Sequence, residues 1–321
     1  MISYFVHREG RTARVDSIEP EWLAAGSKVT VWADVNKPDT ADAEELRRVF
    51  DFHPLSLEHA REATQYPKVE PYGHYLYVVL HGIDFKQAEH AFETADVDFF
   101  LGVNFLVTVH DGGRRSIMEV ASLCDRTDVP LREGPVALMH RIVDRMVENY
   151  RPEVDELESW LDEIEDRVLT GNRDEVTSDI LAVKRDIASL RRVVIPQRDV
   201  VSRLARREFD LINQEHSYRF RDVYDQLVRL ADDASLFHDR VTGILDVHLA
   251  AVSNQLALVS KVLAGIAVII GPLTVITGLF GMNVTLPTLP GGPEAQFWWI
   301  TGGMALMTAV VYYLFRRRGW L

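Results

Sequence analysis

The main pattern in this chain is a loss of charged residues towards its C-terminal end. Charged residues interrupt the apolar runs before Lys261, whereas no residue between Lys261 and Glu294 is charged. A second uncharged run follows at 297–315. Because about 20 apolar residues cross the hydrocarbon core of a bilayer, the pattern predicts two membrane helices, at 262–282 and 297–315.

The flanks of these two runs predict an orientation. The second run opens on Trp298-Trp299 and closes on Tyr312-Tyr313, as expected for aromatic belts at two membrane interfaces. The connector 283–296 contains no Lys or Arg, whereas the tail 316–321 begins with three arginines. Since basic residues stay on the cytoplasmic side, we expect both termini in the cytoplasm and the connector outside. The alternative is a buried hairpin within a core, which these aromatic flanks fit less well than a membrane span.

The N-terminal region mixes strand and helix signals. Residues 40–50 read as a helix opened by Asp39 or Thr40, with Glu44 and Glu45 in its first turns. Strands are indicated by four runs rich in β-branched and aromatic residues, at 28–35, 75–85, 97–101 and 105–110. Strands separated by helices predict an α/β domain, which we assign to residues 1–134.

The region 135–220 predicts an acidic helical hairpin. In 152–169 the apolar residues recur at helical spacing and form one stripe, comprising Val154, Leu157, Leu161, Ile164 and Val168. The other faces of this helix are rich in acids, which is also typical of an ordinary solvated surface. A second helix is indicated at 179–194, and we expect breaks at Gly171 and Pro196.

Residues 221–282 predict a single long helix. Pro272 is the only proline in this stretch, and Gly243 and Gly265 are weak breakers. Such a stalk helix would continue into the first membrane span. A helix of this length cannot cover its own apolar surface, so we expect it to pack against further copies or a surrounding domain.

Composition excludes several classes of function. The net charge of −13 argues against nucleic-acid binding, which needs a basic surface. The single cysteine, Cys124, excludes an intrachain disulfide or a cysteine-based zinc cluster. The N-terminus lacks the apolar core of a signal peptide. Catalytic motifs such as HExxH, GxSxG or a P-loop are absent from the sequence, so we do not expect an enzyme.

Several short segments resemble one known family, the CorA-type divalent-cation transporters, over nearly the full chain. The most specific is Phe280-Gly281-Met282-Asn283, which is similar to the family's YGMN signature with Phe in place of Tyr. The supporting segments are 53–58 (HPLSLE), 67–70 (PKVE), 221–225 (RDVYD), 252–254 (VSN) and 261–263 (KVL).

This resemblance implies an α+β membrane protein that assembles as a homopentameric funnel. Five first spans would line one pore, the second spans would lie outside them, and the α/β domains would be cytoplasmic. The implied function is channel-like transport of Mg²⁺, and also Co²⁺, across the inner (plasma) membrane, gated by cytoplasmic Mg²⁺.

Within the resemblance, Gly281, Met282 and Asn283 form the selectivity filter. Mg²⁺ sheds its water reluctantly, and the neutral amide oxygen of Asn283 suits hydrogen bonding to metal-bound water. A ring of carboxylates would hold the ion more tightly and slow its exit. Taken without the family, Gly and Asn at this position are also typical of a helix cap.

The family's pore-facing positions match six residues in the first span or just before it. By spacing alone, small residues at such intervals indicate helix packing; the resemblance assigns them to a pore. The family often has methionine at the positions of Ser260 and Gly271, so Leu263 is expected to be the main hydrophobic constriction. The six are Ser260, Leu263, Ala267, Gly271, Thr274 and Gly278.

The family's regulatory metal sites lie between neighbouring subunits. Their carboxylates correspond here to Asp246, Asp222, Glu58 and, less closely, Glu148, each of which could also be an ordinary surface charge. An acid expected after Glu58 is His59 in this chain. Because imidazole suits Zn²⁺ or Co²⁺ better than Mg²⁺, one site is expected to be weakened or altered.

Two alternative functions stay open. The connector, with Gly291 and Gly292, is compatible with the related zinc-transporting branch, which would make Zn²⁺ the cargo. A membrane-anchored metal sensor that does not conduct is the second alternative. Measuring metal flux would separate all three.

Overall fold

The computed structural model describes residues 2–24, 26–62, 66–86, 91–112, 114–170, 176–282 and 292–318. The chain divides into two compact units, Met1–Ile244 and Leu245–Leu321. Its strands are β1 Ile2–Arg8, β2 Arg11–Val15, β3 Thr30–Asn36, β4 Lys68–Tyr72, β5 Tyr75–Lys86, β6 Ala91–Gly102 and β7 Phe105–His110. Its α-helices are α1 Thr40–Phe50, α2 Pro54–Arg61, α3 Arg115–Arg126, α4 Val129–Arg132, α5 Pro135–Glu148, α6 Tyr150–Thr170, α7 Val176–Ala205, α8 Gln214–Phe280 and α9 Gly292–Arg317.

The first unit is built on a seven-stranded sheet with the order β2-β1-β3-β7-β6-β5-β4. Only the central pair, β3 and β7, is parallel among the described pairings. A parallel pair needs a long crossover, which here contains α1, α2 and β4 to β6. The expected α/β domain is therefore confirmed, and all four predicted strands are present. The pattern did not predict β1, β2 or β4.

The sheet is covered on both faces. Val31, Trp32 and Ala33 of β3 are completely buried, as expected for a central strand with helices on both sides. One face packs against residues of α1 and α2, including Leu46 and Leu57. The other face contacts α5 and α7.

Helix α1 begins where the sequence predicted. The Asp39 carboxylate accepts a hydrogen bond of 2.7 Å from the Asp42 amide, and the Asp42 carboxylate accepts one of 3.3 Å from the Asp39 amide. This reciprocal capping box satisfies two amides that have no partner within the helix. Asp39, one of the two residues predicted to open the helix, is therefore the N-cap, and Asp42 is its reciprocal partner.

Helices α6 and α7 confirm the predicted hairpin partners. All five residues of the apolar stripe on α6 are buried, with exposed fractions of 6% or less. The two helices contact each other, and the Arg167 guanidinium lies 2.6 Å from the Asp179 carboxylate. The acidic residues of α6 occupy its other faces.

The predicted break at Pro196 is wrong. Helix α7 continues through Pro196 to Ala205. Proline cannot donate the usual hydrogen bond to the carbonyl of residue 192, but Val193, Val194 and Val200 around it are buried. Burial of these three side chains contributes more to the stability of the helix than the loss of a single hydrogen bond costs. The predicted break at Gly171 lies outside the described residues.

The predicted stalk helix is confirmed and is longer than expected. Helix α8 comprises 67 residues and begins at Gln214, before the predicted start at 221. Helix α9 likewise extends beyond the predicted 297–315. Both helices contain segments long and apolar enough to cross a membrane. The domain boundaries predicted at 134, 220, 282, 296 and 315 stay predictions.

Candidate pore and metal-binding residues

One side of the C-terminal part of α8 is covered within the second unit. Gly265 is buried, and a Cβ atom placed on it would lie 3.4 Å from the ring of Phe315 in α9. Ile269 and Ile276 continue the same side of α8 and are half-buried. Helix α9 presents half-buried residues at intervals of three or four, namely Gln296, Ile300, Met304, Thr308, Val311 and Phe315.

The predicted pore-lining residues lie on the opposite side of α8. An α-helix turns by about 100° per residue, which places Ala267 and Thr274 about 180° to 200° from Gly265. All six predicted residues, from Ser260 to Gly278, are exposed in the chain. A Cβ atom on Gly271 or Gly278 would meet no atom within 4 Å. The predicted face is therefore shallow and uncovered.

Thr274 gives this face a hydrogen-bond acceptor. Its hydroxyl donates a hydrogen bond of 2.9 Å to the carbonyl of Ile270, one turn earlier. Because a hydroxyl has one proton and two lone pairs, the proton is used within the helix and oxygen lone pairs stay available. Such an oxygen can accept a hydrogen bond from water bound to a cation.

The C-terminal end of α8 needs glycine at position 281. The helix ends at Phe280, and the Gly281 amide donates a hydrogen bond of 2.8 Å to the carbonyl of Thr277. A Cβ atom on Gly281 would lie only 2.9 Å from that same carbonyl oxygen, so a side chain there would force the backbone to move. Met282 follows and is 54% exposed. Asn283, with the predicted loop up to residue 291, lies outside the described residues.

The four predicted regulatory carboxylates are exposed and lie on separate helices or far apart on one. Glu58 is in α2, Glu148 ends α5, and Asp222 and Asp246 are in α8; all four are exposed. Glu148 is paired with Arg145 at 2.5 Å. Among the described residues of a single chain, no group of three or more histidines, cysteines and carboxylates is arranged to hold a metal.

His59, which replaces an acid of the family pattern, is in contact with a neighbouring cation. The Lys68 ammonium lies 2.8 Å from His59 Nδ1 and 3.5 Å from the Glu70 carboxylate. Because an ammonium group has only donors, His59 Nδ1 is the acceptor in this contact. A positive charge beside the His59 imidazole opposes the binding of a second cation by this side chain.

Helix α8 also carries a repeat that the sequence analysis missed. Asp225, Asp232, Asp239 and Asp246 are separated by seven residues each and are all exposed. Seven residues correspond to nearly two helical turns, so the four aspartates share one face. The seven-residue interval was visible in the sequence and is the signal that could have found them.

A further carboxyl group, Asp98, is unsuited to binding a metal. Its side chain is 3% exposed and accepts a hydrogen bond from the Tyr77 hydroxyl. Burial raises the pKa of Asp98 to about 7, although the bond from Tyr77 acts in the opposite direction. Near neutral pH, a much larger fraction of Asp98 is therefore protonated and uncharged than of an exposed aspartate.

The architecture defines the class of the protein. A soluble α/β domain is followed by a long helix and by two apolar C-terminal segments, one of which has an uncovered face of small residues. The family model described as CorA-like Mg²⁺ transporter protein matches residues 27–317, and the chain belongs to this family.

Similar proteins cover nearly the whole chain. The cobalt/magnesium transport protein CorA of Thermotoga maritima is 29% identical over 98% of this chain and 89% of its own length. The zinc transport protein ZntB of Pectobacterium carotovorum is 23% identical over 96% of this chain and 90% of its own length. The complete structure of the CorA magnesium transporter from Methanocaldococcus jannaschii superposes with a TM-score of 0.84 at 22% identity, covering 100% of this chain and 99% of that one.

Proposed function

We propose that this chain transports Mg²⁺, and also Co²⁺, through a pore formed by five copies. The observation that carries the proposal is the uncovered face of α8 from Ser260 to Gly278, opposite the side that α9 covers. Five such faces around one axis would line a path with small residues and threonine hydroxyls. Family membership supports this reading, and the family is one of transporters rather than enzymes.

The proposed filter lies at the outer end of α8. Gly281 allows the chain to leave the helix close to the Thr277 carbonyl, and Asn283 follows two residues later. Five amide oxygens would bind the water of a hydrated ion without the tight hold of carboxylates. Passage of the hydrated ion avoids the high cost of removing water from Mg²⁺.

We place the protein in the plasma membrane with both termini in the cytoplasm. The support is the distribution of basic residues: Lys261 precedes the first apolar run, and Arg316, Arg317 and Arg318 follow the second. Anchoring on the cytoplasmic side by these residues follows the positive-inside rule.

We further propose that cytoplasmic Mg²⁺ closes the pore by bridging neighbouring subunits. The exposed carboxylates Asp246, Asp222, Glu58 and Glu148 are the ligands in this proposal. The contact between Lys68 and His59 predicts that the site containing Glu58 contributes less than the site containing Asp246. Limited proteolysis should show protection by millimolar Mg²⁺ in wild type that is lost in Asp246→Ala; cleavage independent of Mg²⁺ in wild type would exclude this regulation.

The transport proposal is tested by measuring ion flux into liposomes that contain the purified protein. Mg²⁺ and Co²⁺ should enter along their gradients, and native mass spectrometry should give five copies per particle. Entry of Zn²⁺ without Mg²⁺ would instead favour the zinc-transporting function named for one relative. An assembled protein without flux of any of these ions would indicate a non-conducting sensor.

A further inference from the structure

The junction between α7 and α8 contains a groove of about 460 Å³. It lies entirely within the first unit, and none of the residues proposed above for the pore or the regulatory sites lines it. Arg206 and Arg207 of the connector form one side, and Tyr218, Arg221 and Tyr224 of α8 form the other.

The groove is basic although the protein is acidic overall, with a net charge of −13. Three guanidinium groups, those of Arg206, Arg207 and Arg221, line it, together with a single carboxylate, Asp225. In the part of the chain that the structure describes, none of the three guanidinium groups forms an ion pair with a carboxylate. Elsewhere, arginines such as Arg240 lie against two acids. The groove therefore retains positive charge that can bind an anion.

The backbone holds the two consecutive arginines in place. Arg207 has a φ of 59°, in the left-handed region that residues with a side chain seldom adopt. The Arg206 amide donates to the Ser202 carbonyl at 3.0 Å, and the Arg207 amide donates to the Leu204 carbonyl at 3.2 Å. This tight turn at the end of α7 allows both arginines to line the groove.

An aromatic surface lies beside these charges. The Tyr218 ring is 52% exposed, and the Arg221 guanidinium carbon lies 5.6 Å from its centroid. The side-chain amide Nε2 of Gln214 donates a hydrogen bond of 2.9 Å to the Tyr218 hydroxyl, which restrains the ring. An exposed, restrained ring next to guanidinium groups is suited to stacking on a planar heterocycle.

We propose that this groove binds a nucleoside polyphosphate. Guanidinium groups form paired hydrogen bonds to phosphate oxygens, the Tyr218 ring stacks on the base, and the Asp225 carboxylate accepts a hydrogen bond from a ribose hydroxyl or base amino group. A bare polyphosphate would gain neither the stacking on Tyr218 nor the hydrogen bond to Asp225, and the arginines repel free cations, which favours a nucleotide over both. The volume falls within the range of small-molecule sites.

Binding of ATP to the purified full-length protein, measured by equilibrium dialysis in excess EDTA, tests this proposal. Wild type should bind ATP saturably, at one site per chain. Arg221→Gln and Arg207→Asn should each weaken binding about ten- to a hundredfold, because each removes a charged hydrogen bond. Asparagine tolerates the left-handed backbone at position 207, so this variant keeps the test valid if Arg221→Gln fails to fold.

A second arm separates recognition of the base from recognition of phosphate. Tyr218→Ala should weaken ATP binding and leave the affinity for tripolyphosphate unchanged. Arg192→Gln removes the same charge from an exposed position of α7 outside the groove and should bind ATP like wild type. Absence of saturable binding, equal losses in Arg192→Gln and Arg221→Gln, or equal affinity of wild type for ATP and tripolyphosphate would overturn the proposal. The readout is binding rather than flux, so its outcome does not depend on the transport proposal.

Discussion

The two units of this chain differ in how far they bury apolar side chains of the same type. In the first unit, Leu138, Leu161 and Leu190 are completely buried. In the second unit, Leu263 and Leu306 are 62% and 67% exposed. Most apolar side chains of the first unit are thus covered by their own chain, whereas most of those in the second need lipid or further copies to cover them. Of the two units, the first therefore has a hydrophobic core formed within a single chain.

The same contrast is visible between two helices. Helix α6 has one apolar stripe and acidic residues on its other faces, which is typical of a helix packed on one side. The C-terminal part of α8 is apolar around most of its circumference, and only a narrow side reaches α9. What covers the remaining sides therefore determines what this part of the protein does, and substitutions in the two units should have different consequences.

The largest effect is expected from Asn283→Ala. Removing the amide takes away the proposed acceptor for ion-bound water, so Mg²⁺ uptake into liposomes should fall to background while the oligomer stays intact. Asn149→Ala removes an amide after α5, in the first unit, and should leave uptake unchanged. Uptake at the wild-type rate in Asn283→Ala would end the assignment of the filter.

Replacing one leucine by alanine in each unit should have different consequences for stability. Leu161→Ala should destabilise the protein by about 2 to 5 kcal/mol, because it leaves a cavity in a packed interface. Leu263→Ala should leave thermal stability nearly unchanged, since the side chain is mostly exposed in the chain. Thermal unfolding of both purified variants measures this difference.

Leu263→Ala is expected to act on flux instead. As the main hydrophobic ring of the proposed pore, Leu263 would hinder ions by excluding water. Its removal should raise Mg²⁺ flux and weaken closure at high internal Mg²⁺, compared at equal amounts of assembled protein. If Leu263 only packs against a neighbouring helix, assembly should decrease and the flux per assembled particle should not rise.

The next effect concerns pH and the first unit. Burial raises the pKa of Asp98 from 3.8 to about 7. Its contribution to stability is therefore fully present below pH 4 and is lost as the pH rises through 7, by an amount on the order of a few kcal/mol. Asp98→Asn should show a smaller loss of stability between pH 4 and pH 7 than wild type. Equal pH slopes in unfolding experiments would show that Asp98 is ionised in the folded protein.

The smallest effect is expected from Gly265→Leu in the second unit. A side chain at this position would press against Phe315 and separate α8 from α9, with a cost of about 1 to 3 kcal/mol. Gly302→Leu in α9 is the matched control, because a Cβ atom there meets no atom within 4 Å. Thermal unfolding should show a loss for Gly265→Leu alone. An equal loss in both variants would mean that the two helices do not depend on this contact.

Much of the fold followed from local pattern. The stripe on α6 was predicted because burial on one side leaves a helical periodicity. The two apolar runs were predicted from their length and their lack of charged residues. The two edge strands, β2 and β4, were missed since edge strands bury little, and β4 contains Pro71. The continuation of α7 through Pro196 depended on packing against distant segments, which a local rule does not include.

The candidate site was predictable in part for the same reason. Helical spacing predicts that the residues from Ser260 to Gly278 share one face of α8, and only the resemblance assigns that face to a pore. The structure adds that the opposite side is covered. The Lys68 contact with His59 joins a strand and a helix and has no local signal. The grouping of Arg206, Arg207 and Arg221 likewise depends on the turn between two helices.

Pro272 has a consequence for the rate at which the backbone exchanges with solvent. Since proline lacks an amide hydrogen, the Val268 carbonyl cannot receive the bond that an α-helix normally supplies from residue 272. A missing bond in the middle of an apolar run lowers the barrier to local opening. Deuterium should therefore enter the amides near Val268 and Thr274 sooner than those of the uninterrupted α9, and the helix should have its most deformable turn beside the proposed ion path.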